Sequence, residues 1–147
     1  MKLVDFIICD DIRTEINNKV SLIGVYDDAI NFVTQEKAAN FWPKGIRLGI
    51  FIRLDFVDPE EQNEIGKLVI ESTINGEPNL RMEQPLDTKE QKNSLLRRMS
   101  ISVVFNQISI PKTGDMVLTL SVYNKNNEIM DKFYYPGDIK IAEIIAK

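Results

Sequence analysis

Histidine is absent from all 147 residues. That excludes Ser-His-Asp and Cys-His catalysis, zinc sites with imidazole ligands, and the usual general base near neutral pH. Cysteine occurs once, as Cys9, so no disulfide can form within the chain, and a lone thiol is typical of reducing compartments. Cys9 ends the apolar run Phe6-Ile7-Ile8-Cys9, where a free cysteine usually acts as a small buried hydrophobe rather than a nucleophile. No window approaches the roughly 18 apolar residues of a membrane helix. The start of the chain does not read as a signal peptide: its apolar stretch, Leu3 to Cys9, is broken by Asp5 and closed by Asp10-Asp11. The expected location is the cytoplasm; export by a signal-independent route leaves no mark in such a sequence. Glycine-rich phosphate loops are missing too, since the 7 glycines are isolated and none precedes a GK[ST] run.

Basic charge is in short supply. Eighteen Lys and Arg against 22 Asp and Glu leave a net charge of −4. An acidic chain offers no general field for nucleic acid or for anionic membranes, so neither is an expected partner. The local basic spots Lys89, Lys92, Arg97 and Arg98 are interleaved with Asp87 and Glu90, the pattern of a solvated loop. Hydrophobic residues make up 44% of the chain, which suits a globular domain rather than a disordered one, and the length suits one domain, residues 1–147.

What the sequence does contain is a two-residue rhythm. Ile46, Leu48, Ile50, Ile52, Leu54 and Phe56 share one parity, while Arg47, Gly49, Phe51, Arg53 and Asp55 occupy the other. Alternate side chains of a strand point to opposite faces, so this segment predicts a half-buried antiparallel strand. Leu68, Ile70, Ser72 and Ile74 repeat the pattern, as do Met116, Leu118, Leu120 and Val122. From Met99 the apolar parity runs through Ile101, Val103 and Phe105, then switches to Ile108 and Ile110, which predicts a bulge or bend.

Turn residues divide these runs. Asn17-Asn18 predicts a hairpin between Phe6–Ile12 and Val20–Tyr26, with Asp10 opposite Val25 if those two residues form the whole loop. Lys125-Asn126-Asn127-Glu128 predicts another. Asn75-Gly76 is a strong hairpin signal, yet a two-residue loop would pair Ile74 with Glu77 and throw Leu80 and Met82 onto the polar face. A three-residue loop with a bulge would instead pair Ser72 with Leu80 and Ile70 with Met82; the remaining alternative is no direct hairpin. Pro78 predicts an edge position, because proline cannot donate to a ladder. Thr34 to Gly45 reads as a short helical turn or loop. Pro85 to Arg97 is mostly polar, with Asp87 available to cap a short helix, and Ile139 to Ile145 is a last strand or a tail. The whole predicts an all-β, single antiparallel β-sandwich, immunoglobulin-like or C2-like, of about eight strands, with a closed barrel as runner-up.

The segment Cys9-Asp10-Asp11-Ile12-Arg13-Thr14-Glu15, followed by Lys19-Val20-Ser21-Leu22-Ile23-Gly24-Val25-Tyr26, resembles the opening of an uncharacterised family of small bacterial single-domain proteins. There a C-D-D-x-R-x-E stretch precedes a K-x-S-L-I-G-x-Y strand. Ile110-Pro111-Lys112-Thr113-Gly114-Asp115 more loosely resembles the strand openings of immunoglobulin-like and C2-like sandwiches. The family resemblance implies a single sandwich domain. It carries no activity, and hence no catalytic residues, to this chain.

Two groups of residues invite chemistry. Asp10, Asp11, Asp27 and Asp28 fall near strand ends, and four carboxylates at one edge would suit Ca²⁺, which takes six to eight oxygens. The alternative is that these acids cap turns and pair with Arg13, Arg47 or Arg53. A carboxylate hydrolase drawing on Asp10 and Asp27 ranks lower, and no other cofactor is expected. Aromatic residues form the second group: in Phe133-Tyr134-Tyr135 adjacent rings cannot share a face, so Tyr134 is expected outside the core. Trp42 is either an interface ring or a lid on an open sandwich end. Phe51 lies between Arg47 and Arg53 on the outer parity of its strand, and arginine beside an aromatic ring is a common interface pairing. The leading functional reading is a non-enzymatic interaction or structural module, its partner an unknown protein or a second copy meeting a sheet edge or outer face. A small-ligand or Ca²⁺-binding domain is the alternative.

Overall fold

The computed structural model describes residues 1–58, 60–86 and 97–146. Among the described residues ten strands run in the order β1 (Lys2–Thr14), β2 (Val20–Val25), β3 (Ala29–Gln35), β4 (Lys44–Asp55), β5 (Ile65–Ile74), β6 (Glu77–Pro85), β7 (Arg98–Ile110), β8 (Gly114–Asn124), β9 (Ile129–Tyr134) and β10 (Ile139–Ala146). A single helical turn, α1 (Glu61–Glu64), precedes β5. The first sheet has the order β2-β1-β4-β7; the second has the order β3-β10-β8-β5-β6, with β9 also beside β8. The two sheets pack against each other as an all-β sandwich. The suggested cap Asp87, and Lys89, Lys92 and Glu90, lie outside the described residues. Among the described residues no helix is long and apolar enough to cross a membrane.

The two-residue rhythm reads directly onto this architecture. Leu48, Ile50, Ile52 and Leu54 of β4 meet Leu68, Ile70 and Ile74 of β5 and Met116, Leu118, Leu120 and Val122 of β8 in one buried core. Fully burying each such side chain is worth roughly 1.5–3 kcal/mol, so these repeats dominate the stability of the sandwich. The parity switch in β7 is a bulge. Ile46 pairs with Ile108 but Leu48 with Phe105, leaving Asn106 and Gln107 opposite Arg47 alone.

Three local expectations are corrected. Asn75-Gly76 is a two-residue turn with Ile74 opposite Glu77, but the pairing still reaches Ser72–Leu80 and Ile70–Met82. The extra residue is absorbed by a bulge, with Thr73 opposite Pro78, rather than by the loop. Both turn residues have positive φ, 50° for Asn75 and 81° for Gly76, which matches the twist of a tight hairpin. In the β1–β2 hairpin, Val25 lies opposite Cys9 rather than Asp10. Asn17 and Asn18 both adopt positive φ, and Glu15 N–H donates to Lys19 C=O, so the loop is longer than two residues. Finally, the sheets are not wholly antiparallel: β10 runs parallel to β3 from Lys140–Ala29 to Ala146–Gln35. The count exceeds eight because β3 forms an edge strand and β9 and β10 divide one edge of β8 between them. Thr119 to Tyr123 face β9, and Gly114 to Met116 face β10.

Pro78 does lie on an edge strand, β6. The stretch from Thr34 to Gly45 holds one 3₁₀ turn, Glu36–Ala38, between the end of β3 and the start of β4.

Candidate functional site

The four aspartates do not assemble. Asp10 and Asp11 are consecutive in β1, and each has its own partner. Asp10 accepts the Tyr26 hydroxyl proton at 2.5 Å, and burial together with that carboxylate pushes the Tyr26 phenol well above its ordinary value. Asp11 is paired to Arg47 at 2.8 Å and more loosely to Arg13 at 3.8 Å. The Arg47 hydrogen bond holds the Asp11 carboxyl below the usual range. The backbone oxygens of Asp27 and Asp28 are taken by the Tyr135 hydroxyl and Lys140 N–H. Among the described residues no group of three or more His, Cys, Asp or Glu is placed to hold a metal ion. Local hydrogen bonds turn the Asp10 and Asp11 carboxylates toward different partners, the Tyr26 hydroxyl and the Arg47 guanidinium. Cys9 is buried, its Sγ 3.4 Å from Asp11 C=O, and burial raises its thiol, as suits a structural residue.

On the outer face of the first sheet, side chains from three strands pair with one another. Phe51 points outward as its parity requires, yet it is only 6% exposed. Arg53 lies over its ring at 5.6 Å, and Ile7 and Ser102 flank it on β1 and β7. Arg53 is paired with Asp5, Arg47 with Asp11 and Asn106, and Arg98 with Asp55 through two nitrogens. Arg47, Phe51 and Arg53 thus belong to a cross-strand lattice. Arg53 covers the ring, and the guanidinium groups of Arg47, Arg53 and Arg98 bond to carboxylates. Tyr134 is 57% exposed under Lys132, outside the core as expected.

Trp42 behaves as a lid. It is half-buried against the core, meets Phe32 edge-on at 5.5 Å and lies under the Lys44 ammonium. The Lys44 ammonium also belongs to an ion pair that the sequence does not reveal. Glu143 of β10 meets Lys44 of β4 at 2.9 Å, with side chains only 7% and 14% exposed. Asn40 N–H donates to the same carboxylate at 2.9 Å and Thr34 Oγ1 at 3.4 Å. The pair bridges the two sheets where β10 has left β8. The Asn40 N–H and Lys44 hold the Glu143 carboxyl below the ordinary value of 4.5. Its contribution is therefore complete above pH 4.5 and fades as pH falls through the lower folded value. Melting curves from pH 7 to pH 3 check this. Glu143→Gln is expected to melt lower than the parent at pH 7, the gap closing in acid; parallel profiles would refute a stabilising role for this ion pair.

The sheet edges differ in how they are guarded. β6 carries Pro78, Pro85, Glu77, Arg81 and Glu83, the charges and prolines by which edges commonly resist pairing. β2, β3 and the stretch of β7 from Met99 to Ile110 contain no charged residue and no proline. Between the edges formed by β6 and β7 opens a cavity of about 240 Å³. Leu68, Gln84, Leu86, Met99, Ser100, Ile101 and Ser102 line it, without a charge among them.

No family model matches the chain, and no curated protein matches it.

Proposed function

We propose that this domain is a non-enzymatic interaction module that takes on a partner by adding a strand to an uncharged sheet edge. The observation that carries this reading is the contrast between β6, guarded by two prolines and three charges, and β7, uncharged from Met99 to Ile110. Main-chain groups along a free edge supply hydrogen bonds to any extended segment, and neighbouring side-chain pockets supply selectivity. The absence of histidine and the burial of Cys9 favour binding over catalysis. A lone reduced thiol suits the cytoplasm.

Sedimentation equilibrium and pull-down from lysate, repeated with Ile23→Lys in β2, Val33→Lys in β3 and Ser102→Lys in β7, test the reading. A dimer or a retained partner is expected, lost with at least one of the three substitutions. A monomer that retains nothing, or a complex indifferent to all three, would overturn it.

A further inference from the structure

The phase of the β7 ladder is fixed by one hydrogen bond, Phe56 N–H to Arg97 C=O at 2.7 Å. Residues of an antiparallel pair alternate between bonding across it and facing away. With Leu54 opposite Met99 and Ile52 opposite Ile101, the groups bonded to β4 belong to Arg97, Met99, Ile101 and Val103. The N–H and C=O of Ser100, Ser102 and Val104 therefore face the free edge. A strand added there would place alternate side chains on the inner side beside Met99 and Ile101, over the mouth of the uncharged cavity. At the start of this edge the Arg97 side chain is exposed and forms no ion pair among the described residues, unlike its neighbour Arg98, which is bound to Asp55.

We infer that the edge from Ser100 to Val104 binds an extended peptide. Its apolar side chain fills the cavity lined by Leu68, Leu86 and Ile101, and an acidic residue at its end meets Arg97. The inference rests on the strand-addition reading above and assigns it a strand and a partner chemistry. Charge complementarity selects the occupant. The cavity lining carries no charge, the edge itself is neutral, and among the described residues the one uncommitted charge beside it is a cation.

The probe is the acetylated octapeptide Glu-Thr-Val-Thr-Leu-Thr-Val-Glu, titrated into the full-length ¹⁵N-labelled protein. Controls are the same peptide with Lys at both ends and with its central Leu replaced by Pro. Saturable amide shifts are expected at Ser100 to Val104 and at Gln84 and Leu86, several-fold weaker binding of the lysine-ended peptide, and none of the proline peptide. Ser102→Pro removes an N–H that the β4 ladder does not use, so it is expected to abolish binding with the dichroism spectrum intact. Where that variant fails to fold, Ser102→Lys serves the same purpose, and Leu86→Trp fills the cavity and weakens binding.

No saturable shift at millimolar peptide, or binding unaffected by the Ser102 and Leu86 variants, would overturn the inference. So would a dimer of the free protein that Ser102→Lys dissociates, since the occupant would then be a second copy. Shifts confined to β2 or β3 would overturn the assignment to β7 and leave strand addition itself standing.

Discussion

Replacing Ile50 with alanine is expected to cost about 2–5 kcal/mol, a large part of the roughly 5–15 kcal/mol that holds a typical domain together. Ile50 has no solvent exposure, and its strand is central in the first sheet, between Ile8 of β1 and Val103 of β7. Its side chain belongs to the core shared with the second sheet, so truncation removes contacts made by both layers. Loss of the transferred methylenes and the cavity left behind act in the same direction, because β4 is hydrogen-bonded on both sides and cannot collapse into the gap. Val117→Ala is the comparison. Val117 is 45% exposed on the outer face of β8, and its truncation is expected to cost about 0.5 kcal/mol or less. Urea titrations measure both. An Ile50→Ala midpoint no lower than that of Val117→Ala would mean that the central layer is not the core described above.

A second large effect is expected from Gly114→Val, about 2–4 kcal/mol, from backbone strain and lost hydrogen bonds together. Gly114 opens β8 at φ +146°, a conformation that L side chains rarely adopt. A Cβ there would overlap the side chain of Asn75, at the tip of the β5–β6 turn. That side chain clasps the turn to β8: Asp115 N–H donates to its Oδ1 at 3.0 Å, and its Nδ2 donates to Thr113 C=O at 3.1 Å. Asn75 N–H adds a third bond, to Asp115 C=O at 2.9 Å. A double-mutant cycle separates the causes. Asn75→Ala removes the clasp and the overlap together, so the double variant is expected to lose less than the sum of the single variants. Strict additivity would show that strain alone accounts for Gly114→Val.

Both effects bear on function through rigidity. The proposed peptide edge is one margin of the first sheet, and its alignment depends on the eleven-pair ladder that joins β7 to β4. The bulge at Asn106 and Gln107 ends the regular part of that margin, leaving Ser100 to Val104 as its straight section. Arg98 is tied to Asp55 at the other end, which among the described residues leaves Arg97 as the cation available to an incoming acid.

The sequence by itself determined the inner faces. Strict alternation in Ile46–Phe56, Leu68–Ile74 and Met116–Val122 specifies strands and their buried parity, because a period of two has only one way to hide its apolar half. It also located the β7 bulge, since an extra residue must reverse the pattern, and placed Pro78 at an edge, since proline lacks a donor. Only the tertiary structure decided what covers the outer faces and which strands lie side by side. Phe51 is outward by parity and buried in fact, because the Arg53 that covers its ring is held by Asp5, from a strand 48 residues away in the chain. Glu143 and Lys44 become partners only when β10 runs parallel to β3, a pairing that no local pattern encodes. Asp10 and Asp11 part for the same reason: adjacency in sequence sets their spacing along the backbone, while the Tyr26 hydroxyl and the Arg47 guanidinium set where each one points. Edges, lids and cavities arise from contacts between distant segments, and those contacts form only when the two layers close on each other.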